Sequence, residues 1–331
     1  MLMNTINVSE VLKDDRQLRS LTGLGRDEFE KLLNEFTACM KENQLKNYKR
    51  KPKKNRQRKP GGGRKSALGS PEHQLFFILF YLKNYPTYDV LAFTFNISLG
   101  CAFESVQRLL PVLKQTQKNL KVLPKRTTDG PKELLQLIEN ADHILIDATE
   151  RSIQRPKKPA RQKKHYSGKK GFHTVKNTTI SDTDKRILIL GETVPGSQQD
   201  YSLLKEELDP KIDWFASTEV SVDLGYQGIK TDYLSSESIH IPHKKPRQSK
   251  KNPDPQLTRK QKRENRRLGR VRVLVEHAIG GMKIFRILTI RLRNHLKHLA
   301  DDFIFGCRPL EPEKFFYCSI SYTNAIYEQV Y

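Results

Sequence analysis

The sequence has little cysteine and no long apolar run, and each shortage argues against a class of protein. Its four cysteines (Cys39, Cys101, Cys307 and Cys318) stand far apart with no CxxC pair, which argues against a zinc site or a disulfide framework and favours a reducing compartment. No stretch approaches the roughly 20 apolar residues of a membrane span. The first residues, MLMNTINVSEVLKDD, lack a basic segment followed by an apolar one, so we expect neither a secretory signal nor a membrane partner.

Acidic residues are also scarce relative to basic ones. The chain of 331 residues has 37 Asp and Glu against 60 Lys and Arg, which gives a formal net charge of +23. A polyanion is the natural partner for such a chain, because each neutralised phosphate releases counterions. A hydrophobic content of 36% is typical of a folded protein, and this length accommodates one large domain or two moderate ones. The composition therefore indicates a folded protein that binds nucleic acid.

The first part of the chain divides into a helical segment and a basic linker. Residues 1–45 predict helices, because apolar residues such as Leu18, Phe29 and Phe36 recur at helical spacing. Residues 46–69 are rich in lysine and arginine, contain no acid and include a glycine triplet. Such a run cannot bury a core, so it predicts a linker that either stays solvated or contacts a DNA backbone.

Residues 70–125 predict a helical DNA-binding region. Ser70 and Thr87 are typical N-cap residues, and each precedes an apolar segment of helical length. A further helix starts at Leu99 and is expected to end or kink at Pro111.

The short turn at 96–98 joins the second and third of these helices. Two helices joined in this way are typical of a helix-turn-helix, although any helical hairpin gives the same pattern. The third helix begins with Gly-Cys-Ala at 100–102, which is poor in side chains that contact base edges. The pattern therefore favours a DNA-binding fold with little sequence specificity in this helix.

A mixed α/β domain is predicted over residues 140–307, followed by a divergent tail at 308–331. β-branched and alternating segments predict strands, and apolar residues at helical spacing predict helices. The predicted strands are 143–147, 172–181, 186–194 and 219–223, and the predicted helices are 202–208 and 266–290. Strands and helices in this order imply a mixed α/β core.

Three acidic residues occupy notable positions in this domain. Asp147 closes the predicted strand HILID, Asp223 closes EVSVD, and Glu276 shares a helix face with Arg272. A helix packed beside the sheet would bring the glutamate to the aspartates. Clustered carboxylates are suitable ligands for Mg²⁺, and Mg²⁺ can activate attack on a phosphodiester. Alone, an acid at a strand end is more often a cap or an ion-pair partner, so the residues by themselves leave both interpretations open.

Basic residues flank these acids. The run from Lys157 to Lys170 lies beside the first aspartate and the run from Lys244 to Arg272 lies beside the glutamate, so both are candidates to bind phosphate. Gly225, Tyr226 and Gly228 follow the second aspartate. They predict either a turn that lets the backbone approach a metal or phosphate, or an ordinary turn with a packed tyrosine.

Several segments, in order, resemble those of one enzyme family. They are ILIDATERSIQRPK, HYSGKKGFHTVKN, PGSQQD, VDLGYQG and NRRLGRVRVLVEHAIGGMKIFRIL. Together they cover about 147–288 and are similar to the DDE-type transposases of bacterial insertion sequences, which are related to Harbinger-type nucleases. LAFTFNIS resembles the helix-turn-helix that precedes the catalytic domain in that family.

The resemblance implies a ribonuclease H-like mixed sheet with flanking helices, preceded by an all-α helix-turn-helix region. It implies a transposase that cleaves DNA at element ends and transfers the strands to target DNA. It also implies a homo-oligomer that acts in the bacterial cytoplasm, at the nucleoid. The implied catalytic, metal-binding triad is Asp147, Asp223 and Glu276, with Mg²⁺ as the expected cation and Mn²⁺ as the alternative. The resemblance implies that Arg272 and Lys283, on the glutamate helix, bind DNA. The basic runs beside the acids add four candidate DNA-binding residues, Lys169, Lys170, Lys244 and Lys245.

The chain departs from the family pattern in three places. Gln199 stands where the family often has histidine, Gly269 replaces a tyrosine, and the segment after FIFGC diverges. Two other functions compete with transposition. One is an inactive, transposase-derived protein that acts by occupying element ends, and the other is a basic protein that binds RNA or DNA nonspecifically.

Overall fold

The computed structural model describes residues 6–50, 59, 62, 65–249 and 253–293. They form two compact units: a helical unit that ends at Leu123 and takes up the chain again at Met282, and an α/β unit that spans Pro124–Gly281. The tail predicted at 308–331 lies outside the described residues, as do 51–58 of the predicted linker.

The helical unit is built from six α-helices among the described residues. These are α1 (Val8–Val11), α2 (Asp15–Thr22), α3 (Arg26–Arg50), α4 (Pro71–Asn84), α5 (Tyr88–Phe95) and α6 (Leu99–Asn119). The helical prediction for the first segment is confirmed, but α3 continues to Arg50 and so includes the first residues of the stretch predicted as linker. Lysine and arginine are good helix formers, and the helix begun by the preceding residues extends through them.

Local capping defines the helix-turn-helix. The side chains of Ser70, Thr87 and Ser98 accept hydrogen bonds from backbone N–H groups in the first turns of α4, α5 and α6. The two predicted caps are confirmed. Of the two outcomes predicted for Pro111, that it ends α6 is wrong, because it lies inside a helix that runs on to Asn119. The buried residues that follow it, such as Leu113, give the second half of α6 packing that offsets the lost hydrogen bond.

The α/β unit contains five α-helices and eight strands among its described residues. The helices are α7 (Pro131–Glu139), α8 (Pro159–His165), α9 (Asp200–Glu207), α10 (Ile229–Asp232) and α11 (Arg259–Lys283). The strands are β1 (Lys125–Arg126), β2 (His143–Ser152), β3 (Tyr166–Ser167), β4 (Phe172–Asp182), β5 (Ile187–Leu190), β6 (Val194–Pro195), β7 (Glu219–Val222) and β8 (Ile239–His240).

The strands form one mixed sheet with β2 near its centre. Its order is β1-β5-β4-β2-β7-β8, and β3 and β6 also pair with β4. β2 pairs antiparallel with β4 and parallel with β7. The mixed α/β fold predicted from the sequence is therefore confirmed.

Three predicted element boundaries are wrong. β2 does not end at Asp147 but runs to Ser152, because β4 continues to pair with it. The predicted strand at 186–194 is two short strands, β5 and β6. The last helix begins at Arg259 and ends at Lys283, whereas 266–290 was predicted, and a 3₁₀ turn follows it at Arg286–Leu288.

The sheet buries an apolar core on each of its faces. One cluster includes Ile146, Val222, Trp214 and Tyr226, and a smaller cluster joins Leu145 of β2 to Val275 and other residues of α11. Alternate residues of a strand point to opposite faces. Leu145 and Asp147 are thus on the face of the sheet that α11 covers.

None of the described helices is by itself long and apolar enough to cross a membrane. The helices α5 and α6 reach that length and composition only when taken as a pair, and this pair is bent by 98°.

The carboxyl group of Glu207, at the end of α9, makes the stability of the α/β unit dependent on pH. Burial raises its pKa from 4.5 to about 7. The folded state therefore disfavours the ionised form, and stability falls as the pH rises from about 4.5 through 7. We expect Glu207→Gln to stabilise the unit at pH 8 by on the order of 2 kcal/mol and to have little effect at pH 4.5.

Urea unfolding at the two pH values, followed by fluorescence, measures this difference. The chain has one tryptophan, and Trp214 lies in the core of the α/β unit, so its emission reports on that unit. Glu206→Gln is the matched control, since the neighbouring Glu206 is exposed. An equal gain at both pH values would contradict the assignment of the effect to the Glu207 charge.

Candidate active site

Asp147 and Asp223 lie side by side where two strands part. β2 and β7 pair in parallel as far as Ile146 and Val222. β7 ends there and Asp223 follows it, while β2 continues along β4 with Asp147 opposite Thr179. Neighbouring strands lie about 5 Å apart. The end of β7 therefore leaves Asp147 as the first residue of β2 with no partner on that strand, and Asp223 is the first residue after β7.

The half-buried Asp147 carboxyl is held in an unfavourable environment for its charge. Burial is the largest cause and raises its pKa, and the negative charges of Asp223 and Asp200 raise it further. The backbone N–H of Ala148, 2.7 Å from Oδ1, and the charge of Lys169 act in the opposite direction. A site that crowds carboxylates in this way is stabilised by a nearby cation.

Arg272 of α11 connects the other two acids. Its Nη1 atom is 3.2 Å from Oδ1 of Asp223, and its Nη2 atom is 3.8 Å from Oε1 of Glu276. The Glu276 side chain is 62% exposed. One guanidinium thus lies between the second aspartate and the glutamate.

Packing of α11 on the sheet sets this position. Val275 and Ile279 of α11 contact Leu145 in a buried cluster. Val275 directly precedes Glu276, and Leu145 lies two residues before Asp147. The apolar contact therefore brings the glutamate's turn of helix to the part of β2 that carries the first aspartate.

A buried charged network lies beside these acids, and the sequence did not predict it. Lys176 of β4 is 6% exposed, and its Nζ atom lies 2.7 Å from Asp200 Oδ1 and 3.6 Å from Glu150 Oε1. It also donates to the carbonyl oxygen of Gln198 at 2.8 Å. Thr174 donates its hydroxyl to Glu150 at 2.8 Å. Lys176 therefore anchors the loop before α9, including Asp200, to the sheet.

Tyr226 is buried close enough to the two aspartates for their charges to act on its hydroxyl. It belongs to the 3₁₀ turn Leu224–Tyr226 that follows Asp223, and it is 1% exposed. Its hydroxyl has no hydrogen-bond partner among the described residues. Burial, followed by the charges of Asp147 and Asp200, raises its pKa far above the usual range. The packed tyrosine predicted for this turn is confirmed, and the approach of the turn's backbone to a metal or phosphate stays a prediction.

The predicted basic residues have different positions. Lys169 is close enough to Asp147 for its charge to lower the pKa of that group, and the exposed Lys170 follows it in the turn between β3 and β4. Lys244 and Lys245 are exposed and follow His243, which bonds Glu264 and Asn265 of α11.

Asn265 precedes Glu276 by eleven residues, or about 16 Å along a helix. Lys244 and Lys245 are therefore not grouped with the acids. Lys283 is the last residue of α11 and falls in the helical unit.

Comparison with known proteins identifies the family. The chain is 30% identical over 280 residues to the probable transposase for insertion sequence element IS702 of Microchaete diplosiphon, and the match covers 84% of this chain and 87% of that protein. The chain belongs to the DDE transposases. Residues 146–310 match the DDE superfamily endonuclease family, and residues 66–118 match the helix-turn-helix of that superfamily. No solved structure matches the chain.

The family matches agree with the architecture of this DDE transposase. The endonuclease match begins at Ile146, one residue before Asp147, and the helix-turn-helix match covers α4, α5 and most of α6. The mixed sheet with its flanking helices corresponds to the ribonuclease H-like fold, preceded by a helix-turn-helix, that the resemblance implied. Endonucleases of this superfamily generally use divalent metal ions.

The site residues of this DDE transposase are of the right type for a divalent cation. Asp147 and Asp223 offer hard carboxylate oxygens, which such cations prefer, and the buried Tyr226 hydroxyl lacks a partner beside them. Within the described ranges, no group of three carboxylate, imidazole or thiolate side chains is close enough to hold a metal ion. In this arrangement the Arg272 guanidinium lies between Asp223 and Glu276.

Proposed function

We propose that this transposase cleaves DNA at the ends of its insertion element and joins the freed 3′ ends to target DNA, with Asp147, Asp223 and Glu276 as its catalytic residues. The observation that carries the proposal is the placement of these acids. The two aspartates directly follow Ile146 and Val222, which pair on adjacent strands. Arg272 contacts both the second aspartate and the glutamate.

Divalent cations, Mg²⁺ or Mn²⁺, would activate the attacking oxygen and stabilise the leaving oxygen of the phosphodiester. Asp147 and Asp223 would hold them, since both are acids that directly follow the last paired residues of β2 and β7. Glu276 would complete the ligand set from α11. The exposed Glu276 side chain has rotamer freedom to approach the aspartates.

The basic residues would hold the DNA. Lys169 lies near Asp147, where its charge offsets the repulsion between carboxylates and phosphate. Arg272 presents a planar guanidinium, which suits phosphate oxygens, and a phosphate would compete with Asp223 for it. Lys170, Lys244, Lys245 and Lys283 would add contacts along the DNA backbone. We propose that the protein acts on paired element ends as a homo-oligomer, in the cytoplasm where the bacterial chromosome lies.

The direct test uses the DNA that flanks the gene. Purified protein with Mg²⁺ or Mn²⁺ should nick a labelled duplex of that DNA at one position and leave a scrambled duplex intact. Specific binding without cleavage would instead support action by occupancy, and equal binding to both duplexes would support a nonspecific basic protein. Either result would contradict the proposed function.

Substitution of Glu276 tests the third member of the triad. We expect Glu276→Gln to lower the nicking rate by about 100-fold or more while DNA binding is retained, because the amide keeps the shape of the side chain but loses its charge. Glu237→Gln is the matched control, since Glu237 is an exposed residue of the same unit. If the Glu276→Gln protein nicked DNA at the parent rate, Glu276 would be excluded as a catalytic residue.

A further inference from the structure

The segment 151–181 carries charge of one sign only. It contains ten lysines and arginines and no acid. Eight of these cations are exposed, and they lie before β3 and in the turn that follows it. They are Arg155, Lys157, Lys158, Arg161, Lys163, Lys164, Lys169 and Lys170. Such a run indicates a polyanion as its partner, because each neutralised phosphate releases counterions.

Two large aromatic side chains are exposed within this run. Tyr166 of β3 is 47% exposed, and Phe172 at the start of β4 is 43% exposed. The two strands form the β3–β4 hairpin (166–173), in which Tyr166 lies opposite His173 and Ser167 lies opposite Phe172. The ring of Tyr166 contacts that of His173 edge-on, with centroids 5.7 Å apart. Tyr166 therefore presents a ring that one neighbour supports and that solvent still reaches.

The strand register places Tyr166 on the face of the sheet that carries the first aspartate. Asp147 lies opposite Thr179 of β4, and His173 precedes Thr179 by six residues on the same strand. Alternate residues of a strand point to opposite faces. His173 and its partner Tyr166 are therefore on the face of Asp147, whereas Phe172 is on the other face.

The β3–β4 hairpin is anchored on each side of its turn. Before β3, the carbonyl oxygen of Lys164 accepts hydrogen bonds from the backbone N–H and the hydroxyl of Ser197, at 3.3 and 2.6 Å. At the start of β4, the carbonyl oxygen of His173 accepts one from the N–H of Ile153 at 3.0 Å. A ring on an anchored hairpin loses little conformational entropy when it binds a ligand.

An unpaired DNA strand fits this hairpin better than paired DNA or another protein does. Within a duplex the bases are stacked on one another, so a side chain reaches a base face only after the base leaves the stack. An unpaired base has a free face, and proteins bind single strands by combining cations with aromatic rings that stack on bases. A second copy of the chain, with its net charge of +23, would be repelled by the eight exposed cations.

We propose that Tyr166 is a stacking platform for an unpaired base of the DNA, while Lys169 and Lys170 hold the adjoining phosphates. Lys169 is near the catalytic acids, since its charge lowers the pKa of Asp147. The stacked base would therefore be close to the phosphodiester that is cut. The inference rests on the proposed function for the position of the cut, and it adds that the strand is unpaired there.

Binding of labelled single strands to the full chain, measured by fluorescence anisotropy, tests the proposal. One probe is a strand of about 16 thymidines, and the other is a strand of the same length whose central nucleotides lack their bases. Both carry the same phosphates, so only contacts to bases distinguish them. We expect the parent to bind the thymidine strand about tenfold more tightly. The difference should persist at higher NaCl, because salt weakens phosphate contacts far more than stacking.

Substitutions at one position separate stacking from simple apolar contact. Tyr166→Leu keeps an apolar side chain without a ring, so it should bind both strands equally, as weakly as the parent binds the abasic strand. Tyr166→Phe keeps the ring and should keep the preference. Leu234→Ala is the matched control, because Leu234 is 51% exposed in the same unit and lies outside the basic run. Far-UV circular dichroism verifies that each variant is folded.

Nicking of the flanking DNA tests whether the unpaired base is near the cut. We expect Tyr166→Leu to nick the paired duplex about tenfold more slowly than the parent. Mismatched bases beside the cut remove the cost of unpairing, so they should restore much of the lost rate. An equal defect on paired and mismatched duplexes would place the stacked base away from the cut and contradict this part of the proposal.

Three binding results would overturn the proposal. They are equal binding of the two strands by the parent, an unchanged preference in Tyr166→Leu, and an equal loss of preference in Leu234→Ala. If Tyr166→Leu instead abolished self-association in sedimentation and left strand binding unchanged, the ring would belong to a protein contact. Base-dependent binding through Tyr166 by a protein that never nicks would overturn only the proposed function. Specific nicking without a preference for the thymidine strand would overturn this inference alone.

Discussion

An Asp147→Asn protein is expected to lose metal-dependent nicking by about 1000-fold or more and yet to be more stable than the parent at neutral pH. Activity is expected to fall because, in the proposed site, the anionic oxygen of Asp147 would hold a cation beside Asp223, and the amide cannot. Stability rises because burial, together with Asp223 and Asp200, makes the ionised Asp147 unfavourable in the folded protein.

The direction of the pH effect follows from the raised pKa. The folded state binds a proton at Asp147 more tightly than the unfolded state, whose carboxyl has the ordinary value of 3.8. The folded protein therefore loses stability as the pH rises above that value and through the raised one. The gain in stability from Asp147→Asn should be absent in acid and fully present at neutral pH. The amide oxygen of the asparagine can still accept the hydrogen bond from the Ala148 N–H.

Nicking rates and Trp214-monitored urea unfolding at several pH values measure both parts of this prediction. Asp184→Asn is the control, since Asp184 is exposed in the turn between β4 and β5 and pairs with Arg186. A variant that lost both activity and stability would identify Asp147 as a structural acid. A variant that kept its activity would exclude it from the catalytic site.

Lys176→Met is expected to lower the free energy of unfolding of the α/β unit by about 3–5 kcal/mol. The methionine fills most of the same volume but provides no charge. Glu150, whose side chain is 8% exposed, would then be a buried carboxylate with Thr174 as its remaining partner. Removing one partner of a buried ion pair is costly because the other charge stays out of water.

The double variant Lys176→Met/Glu150→Gln separates charge from packing. Removal of the second charge should recover on the order of 1–2 kcal/mol of the loss, as measured by Trp214 fluorescence during urea unfolding. Lys205→Met is the matched control. Its pair with Asp232 is 3.2 Å long with side chains 40% and 39% exposed, and such pairs contribute under about 1 kcal/mol. A Lys176→Met protein as stable as the control would contradict the importance of the buried network.

Local interactions made much of the fold predictable. Ser70 and Thr87 cap their helices with their own side chains, and the alternating residues of FHTVKNTTIS form β4 as predicted. The order of segments around Asp147, Asp223 and Glu276 identified the family, which the comparisons confirmed. The roles of these three acids stay predictions.

The extent of β2 and the buried network of Lys176 could not be predicted, because both depend on contacts between residues distant in the sequence. The continuation of β2 beyond Asp147 depends on β4, whose Thr179 lies opposite it. Lys176 was not distinguished from the many other lysines, because its partners Glu150 and Asp200 come to it only when β2, β4 and the loop before α9 assemble.

The three acids show which features of the site the sequence determines and which depend on the tertiary structure. The sequence by itself determined which residue types recur in which order, and with them the family and the kinds of helices and strands. Only the tertiary structure decided that β7 ends beside Asp147 and that Arg272 lies between Asp223 and Glu276. The physical reason is that capping and alternation act over a few residues. The strand register at Asp147 instead depends on residues more than thirty positions apart, Asp147 and Thr179. The packing of α11 against β2 depends on residues more than a hundred positions apart, such as Leu145 and Val275.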